Sequence, residues 1–311
     1  MSTPHLENTN YHFKSRKARY FPSEGSTLKP KKRLAQVFLK NKVFLSKIVQ
    51  AGEISSKDTV LEIGPGKGVL TKALLQAGAK VLAIEKDPQL VFFLKEKFKN
   101  NKNLIVIHAD IRDFLRNKSF YTRYKIQNTK YKIVGNIPYY LTSYLFRLLL
   151  ELEKKPEIIV LMIQKEVAQR IVAQPPHMNL LAVSIQFFAK PEIIAQVPKT
   201  AFYPQPKVDS AIIKLTPIPV IAIRQLAEKP CPPKLQRRRE SYFFKVVKAG
   251  FSHPRKLLIS NLNQTLKIPK EQLQDIFFHF KLKSNIRPSE LSIFDWLNLT
   301  KNLLSFISSK N

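Results

Sequence analysis

Glu85, Asp110 and Asn136 each close a short apolar run, and a fourth run ends in Glu62-Ile63-Gly64-Pro65-Gly66-Lys67-Gly68. Glycine in such a turn lets the backbone bend sharply and approach a ligand, and the helix pattern that follows offers unpaired N–H groups. Glu85 lies roughly twenty residues beyond the turn, the place from which an acid accepts hydrogen bonds from ribose hydroxyls. Asp110 is placed to accept from an adenine amine. In an open parallel sheet a ligand rests against the carboxyl ends of the strands, where the strand order reverses. Any one of these residues alone reads as a turn or cap residue. All four in this order predict a site for a nucleoside-bearing cofactor.

The elements that must hold them are legible in outline. Candidate strands are TVLEI (59–63), KVLAIE (80–85), NLIVIH (103–108), YKIVG (131–135), EIIVLMI (157–163), VSIQFF (183–188) and AIIKL (211–215). Near-continuous apolar runs separated by helix-length segments predict a parallel or mixed sheet covered on both faces. Seven of them predict a doubly wound α/β, Rossmann-like domain over residues 31–216. Residues 1–30 are polar, carry Lys14, Arg16, Lys17 and Arg19, and read as a mobile basic arm. Prolines punctuate 217–236, which reads as a connector. Residues 237–311 have helical patterning and read as a small α-helical domain.

Charge narrows the partner. Lys and Arg total 53 against 22 Asp and Glu, a formal net charge of +31. Self-repulsion on that scale predicts a polyanionic partner, and nucleic acid is the expected one. Between Lys234 and Arg287 alone there are 13 basic against 3 acidic residues. Cys231 is the only cysteine and no two of the six histidines stand at metal-ligand spacing, so neither a disulfide framework nor a metal site is expected. The chain has no apolar run of bilayer length and no secretory h-region, so no membrane role is expected. A cytoplasmic protein is the natural reading.

Asn136-Ile137-Pro138-Tyr139 follows the fourth strand and resembles the catalytic tetrad of amino-methyltransferases. An aromatic amine is a poor nucleophile because its lone pair is delocalised into the ring. Two acceptors facing its N–H bonds, the Asn136 side-chain oxygen and a backbone carbonyl near Ile137 or Pro138, favour a localised lone pair. Pro138 stiffens the turn, and Tyr139 offers a face on which an extruded base stacks. Phe202 is a second aromatic candidate, held in a proline-stiffened loop from which it is expected to face Tyr139 across the base.

Taken in order, KKRLAQVFL (31–39), LEIGPG (61–66), GNIPY (135–139), QKEVAQR (164–170) and FYPQPKVDS (202–210) resemble the ribosomal RNA adenine dimethyltransferase family, from about Lys31 onward. That resemblance implies a class I methyltransferase fold with a small C-terminal helical domain and S-adenosyl-L-methionine as cofactor. It implies dimethylation of two adjacent adenosines near the 3′ end of small-subunit rRNA, by a monomer, during ribosome maturation. It assigns the cofactor to Gln36, Val37, Leu39, Glu62, Gly64, Gly66, Glu85, Asp110, Ile111 and Asn136, with Val37 and Leu39 on a segment that folds over it. Arg255, Lys256 and Lys207 are expected to contact rRNA, with Phe251 and Asn261 in the same helix start as Arg255. Ala35, Asn41 and Tyr140 depart from the usual pattern, as does the segment 175–179. The rival readings are a large-subunit rRNA adenine methyltransferase and a catalytically silent RNA-binding relative.

Overall fold

The computed structural model describes residues 37–117, 123, 124, 126, 130–138, 141–218 and 233–308. The expected arm and Gln36, Tyr139 and Tyr140 of the expected site lie outside them, as do residues 219–232 of the expected connector.

A seven-stranded sheet runs through the molecule in the order β4-β3-β2-β5-β6-β9-β7. Its strands are β2 (Thr59–Ile63), β3 (Lys80–Glu85), β4 (Leu104–His108), β5 (Tyr131–Asn136), β6 (Ile159–Gln164), β7 (Ala189–Val197) and β9 (Ser210–Pro217). The pairs β2–β3, β3–β4, β2–β5 and β5–β6 are parallel, and β9 runs antiparallel to both β6 and β7. The chain winds outward from β2 to β4 and returns to place β5 against the other side of β2. The strand order therefore reverses between β2 and β5, and the crevice opens at their carboxyl ends.

Among the described residues, short helices flank the sheet, including α1 (Lys42–Ala51), α2 (Val69–Gln76), α3 (Pro88–Lys97), α4 (Ile111–Arg116), α5 (Thr142–Glu151) and α6 (Lys165–Ile171). Short polar side chains start several of them by accepting the first free N–H groups: Asn41 from Val43, Asp87 from Gln89, Asp110 from Arg112. Alternation along β2 sends Val60 into a core with α1 and α2, and Leu61 and Ile63 into another with α4, α5 and α6. A two-stranded ribbon, β1 (Phe38–Leu39) with β8 (Phe202–Tyr203), pairs Phe38 with Tyr203 and Leu39 with Phe202.

One expected strand is a helix. VSIQFF falls mainly in α7 (Leu180–Gln186), which Asn179 caps by accepting from Leu181 and Ala182. Ile185 packs under the sheet while Ala182, Val183 and Phe187 join the C-terminal core, so both sides are apolar and helical periodicity is lost. The missing strand is AKPEIIAQV, β7, whose Pro191, Lys190 and Glu192 disguise it. It lies at the sheet edge, where a residue without an N–H is tolerated.

The C-terminal region holds α8 (Pro233–Gly250), α9 (Leu258–Leu266), α10 (Lys270–His279) and α11 (Ile293–Ser308) around the buried Trp296. α8 begins inside the stretch read as a connector, with Pro233 at its start, where the missing N–H costs nothing. Asn261 is fully buried, and its amide donates to the carbonyls of Gly250 (2.6 Å) and His253 (2.9 Å). Phe251 is buried against Trp296 with ring centroids 5.4 Å apart. Both residues therefore knit α8 to its neighbours from the interior, whereas Arg255 and Lys256 are exposed. A Cβ on Gly250 would sit 2.3 Å from Trp296 Cη2. Gly250→Ala is expected to lose about 1–3 kcal/mol by overpacking, read as a lower urea midpoint with an unchanged slope.

Candidate active site

The reversal in strand order creates a cleft that gathers residues from five segments. Val37 and Leu39 border it from the ribbon, Glu62, Gly64 and Gly66 from β2 and its turn, and Glu85 from the end of β3. Asp110 and Ile111 come from the β4–α4 junction, and Asn136 and Pro138 from the end of β5. Ile137 is buried just behind, its N–H donating to Met162 O at 3.0 Å.

The glycine turn needs its glycines. Gly64, Gly66 and Gly68 have φ of 65°, 59° and 72°, which a side chain disfavours. A Cβ on Gly66 would lie 3.0 Å from the Phe38 ring, and on Gly64 3.7 Å from Asn136 O. Phe38 thus roofs the turn, and Lys67 Nζ sits 5.1 Å from its ring centroid. Lys97 of α3 secures the turn from behind by donating to Lys67 O at 2.7 Å.

Three carboxylates border the cleft, each in a different state. Glu62 is fully buried; its Oε2 accepts from the Thr71 hydroxyl at 2.7 Å, and its Oε1 has no partner among the described residues. Burial pushes it up to about 8, only partly countered by the Thr71 hydrogen bond. Glu85 accepts from Asp87 N (2.8 Å) and Gly66 N (3.2 Å); burial raises it above the ordinary carboxylate range, and those hydrogen bonds oppose the rise. Asp110 is held well below that range, first by its hydrogen bond from Arg112. Arg112 donates to it at 2.9 and 2.6 Å, and Lys86 pairs with it at 2.9 Å.

Asn136 is oriented from a distance. Its Nδ2 donates to Val37 O at 3.1 Å, across 99 residues of sequence. One Nδ2–H is thereby committed to the ribbon, and Oδ1 accepts nothing among the described residues. Pro138 O accepts from Leu141 N at 2.9 Å, whereas Ile137 O accepts nothing among the described residues.

Most of the described catalytic and cofactor candidates border this cleft; Phe202 does not. Phe202 is 3% exposed and packs into the core beneath the ribbon with Leu39 and Ala201. That corrects its expected place facing the base, because pairing opposite Leu39 turns its ring inward. Tyr203, the next residue along, is 53% exposed, with Lys40 Nζ 4.5 Å from its ring centroid. Sequence reasoning missed Phe38, Lys86 and Met162 in the cleft lining. Phe38 sits between two residues already singled out, and Lys86 directly follows Glu85, so adjacency was the available signal. Lys207 borders a separate cleft.

Known proteins resemble this chain over most of its length. A family model described as ribosomal RNA adenine dimethylase matches residues 27–304. A protein of Dehalococcoides mccartyi named ribosomal RNA small subunit methyltransferase A is 41% identical over 273 residues, 88% of each chain. A crystal structure of a dimethyladenosine transferase from Plasmodium falciparum superposes with a TM-score of 0.69 at 27% identity, covering 86% of this chain and 98% of that one. A 23S rRNA methyltransferase superposes at 0.65 and 26%, covering 86% and 99%. With the glycine turn, the strand-end acids and Asn136 assembled on one cleft, the chain belongs to the ribosomal RNA adenine dimethylase family.

Proposed function

We propose that the protein uses S-adenosyl-L-methionine to dimethylate N6 of two adjacent adenosines near the 3′ end of small-subunit rRNA, acting as a cytoplasmic monomer on the subunit or its assembly intermediate. The observation that carries the reading is Asn136, which borders the cleft at the end of β5 and is anchored by one Nδ2–H donating to Val37 O. Oδ1 and the Ile137 carbonyl then form the pair of acceptors that draws the lone pair of the target amine out of conjugation. When bound, the cofactor supplies an electrophilic methyl group on a sulfonium.

The residues present fit that cofactor. Glu62 Oε1 is a buried oxygen without a partner among the described residues, which suits an ammonium group. Glu85 can exchange its two backbone partners for ribose hydroxyls. Asp110 can accept an adenine amine only by giving up part of its hold on Arg112. Three acids border the cleft, but Glu62 is mostly protonated at neutral pH and Asp110 is paired with Arg112 and Lys86, so Glu85 is the acid left for the ribose. In this reading residues 31–216 carry out transfer, while the basic residues of 237–311, Arg255 and Lys256 among them, hold the rRNA.

Glu62 leads to a pH prediction. At pH 7 it is mostly protonated, and a bound ammonium ionises it, so cofactor binding is expected to release about one proton. Affinity then climbs with pH and levels off above about 8. In the cofactor-free protein the folded value lies above the unfolded one, so the stability Glu62 contributes is whole at acid pH and drains away as pH rises through about 8. Calorimetry in buffers of different ionisation heat measures the proton count; Glu62→Gln should release none, and equal release by both proteins rejects the assignment.

The function is tested by incubating the protein and labelled cofactor with assembling small subunits, followed by mass spectrometry of the rRNA. Two dimethylated adenosines near the 3′ end are expected. Label on large-subunit rRNA instead would support the reading suggested by the 23S rRNA methyltransferase superposition. No label on either would favour a silent relative.

A further inference from the structure

We infer that a second cleft, beside the first on the same edge of the sheet, takes a phosphodiester of the RNA strand that carries the target adenosine. The inference rests on the function proposed above. The cleft, about 370 Å³, is bordered by Gln164, Lys165, Gln169, Lys199, Lys207 and Asp209. That volume lies within the roughly 300–1,000 Å³ of ordinary ligand clefts.

Its construction is specific. Asp209 joins the walls: its carboxylate accepts from Lys199 N at 3.0 Å, and its carbonyl accepts from Lys165 N at 3.0 Å. Lys207 is two residues earlier on the same loop, so lysines from β6–α6, β7–β8 and β8–β9 border one cleft around Asp209. None of the three makes an ion pair among the described residues, and the Gln164 and Gln169 amides make no hydrogen bond there. Asp209 faces peptide N–H groups, which leaves the lysines to an outside partner. Glu166 is the other acid on the rim, so the cleft keeps an excess of positive charge.

Position selects RNA over a free anion. Met162 of β6 is the register partner of Asn136, and Gln164 is two residues further along that strand, about 7 Å away. A base inserted at Asn136 therefore leaves its flanking phosphate beside these lysines. The second cleft, with three lysines against two acids, attracts that phosphate. Tyr203, exposed four residues before Lys207, lies on the ribbon joining the two.

The test uses the full-length protein with Lys165→Gln, Lys199→Gln and Lys207→Gln combined. Anisotropy with a fluorescent oligonucleotide of the small-subunit rRNA 3′ end is expected to show RNA affinity about tenfold weaker near 0.1 M salt. The slope of log affinity against log salt should shrink by roughly 1, while affinity for S-adenosylmethionine is unaltered. Lys207→Arg should keep the RNA affinity of the wild type. If the triple variant does not fold, Lys199→Gln with Lys207→Gln, both at exposed positions, serves instead. Unchanged RNA affinity and slope overturn the inference. So does inorganic sulfate binding to the wild type but not the variant while RNA binds both alike, which assigns the cleft to a free anion. A wild type that grips RNA through these lysines yet labels no adenosine supports the cleft and overturns the proposed function, so the two failures differ.

Discussion

Asn136→Ala is expected to lower the rate of methyl transfer by about 10²–10³-fold, some 3–4 kcal/mol of transition-state stabilisation. The attacking nitrogen gains positive charge as its bond to the methyl group forms, and acceptors aimed at its N–H bonds stabilise that charge. With Oδ1 gone, only the Ile137 carbonyl remains, because Pro138 O already serves the turn to Leu141. The same substitution strips Val37 O of its donor, which loosens the ribbon. Cofactor affinity should consequently fall only a few-fold, and the loss should appear in the chemical step. Asn136→Asp separates the two roles: it keeps an acceptor for the amine but sets a carboxylate oxygen against Val37 O, so an intermediate rate is expected. Single-turnover transfer with labelled cofactor, beside calorimetric binding, makes the comparison. Turnover within fivefold of wild type for Asn136→Ala would refute the acceptor role.

The second large effect concerns Glu85. Glu85→Ala is expected to weaken cofactor binding by about 100-fold, with a much smaller change in the rate at saturating cofactor. Hydrogen bonds to a charged group contribute roughly 1.5–3 kcal/mol each, so two ribose hydroxyls account for about 3 kcal/mol or more. The cofactor-free site shows why the side chain is ready: its oxygens are already held by Gly66 N and Asp87 N at the lip of the glycine turn. Alanine removes that brace along with the acceptor. Burial raises Glu85 above the usual carboxylate range, so affinity should begin to fall at a higher pH than an exposed carboxylate would require, as protonation removes one acceptor. Glu85→Gln, neutral but similar in shape, should lose about tenfold and show no such pH dependence. Calorimetry decides; a dissociation constant within threefold of wild type for the alanine variant would dispose of the ribose assignment.

Much of the cofactor side was legible in sequence because its signals are local. A strand, a glycine turn and a helix are contiguous, and an acid at the end of each following strand needs only the apolar pattern before it to be located. Gly64, Glu85, Asp110 and Asn136 consequently meet at the reversal of strand order. The basic helical C-terminal region follows likewise from composition and periodicity. VSIQFF was misread for a related reason: periodicity reports a helix only when one face is wet, and α7 is buried on two sides.

The chain by itself thus determined which residue types stand at the strand ends, and through them the class of cofactor and of reaction to expect. Tertiary structure alone decided what each side chain does there. It turned Phe202 into the core by pairing it with Leu39, and spent Asn261 on Gly250 and His253. It set Arg112 and Lys86 on Asp110. It also anchored the Asn136 amide to a carbonyl 99 residues away. The physical reason is common to all of these. A polar side chain points toward whichever partner the fold brings within hydrogen-bond range, and those partners come from segments that no local pattern connects.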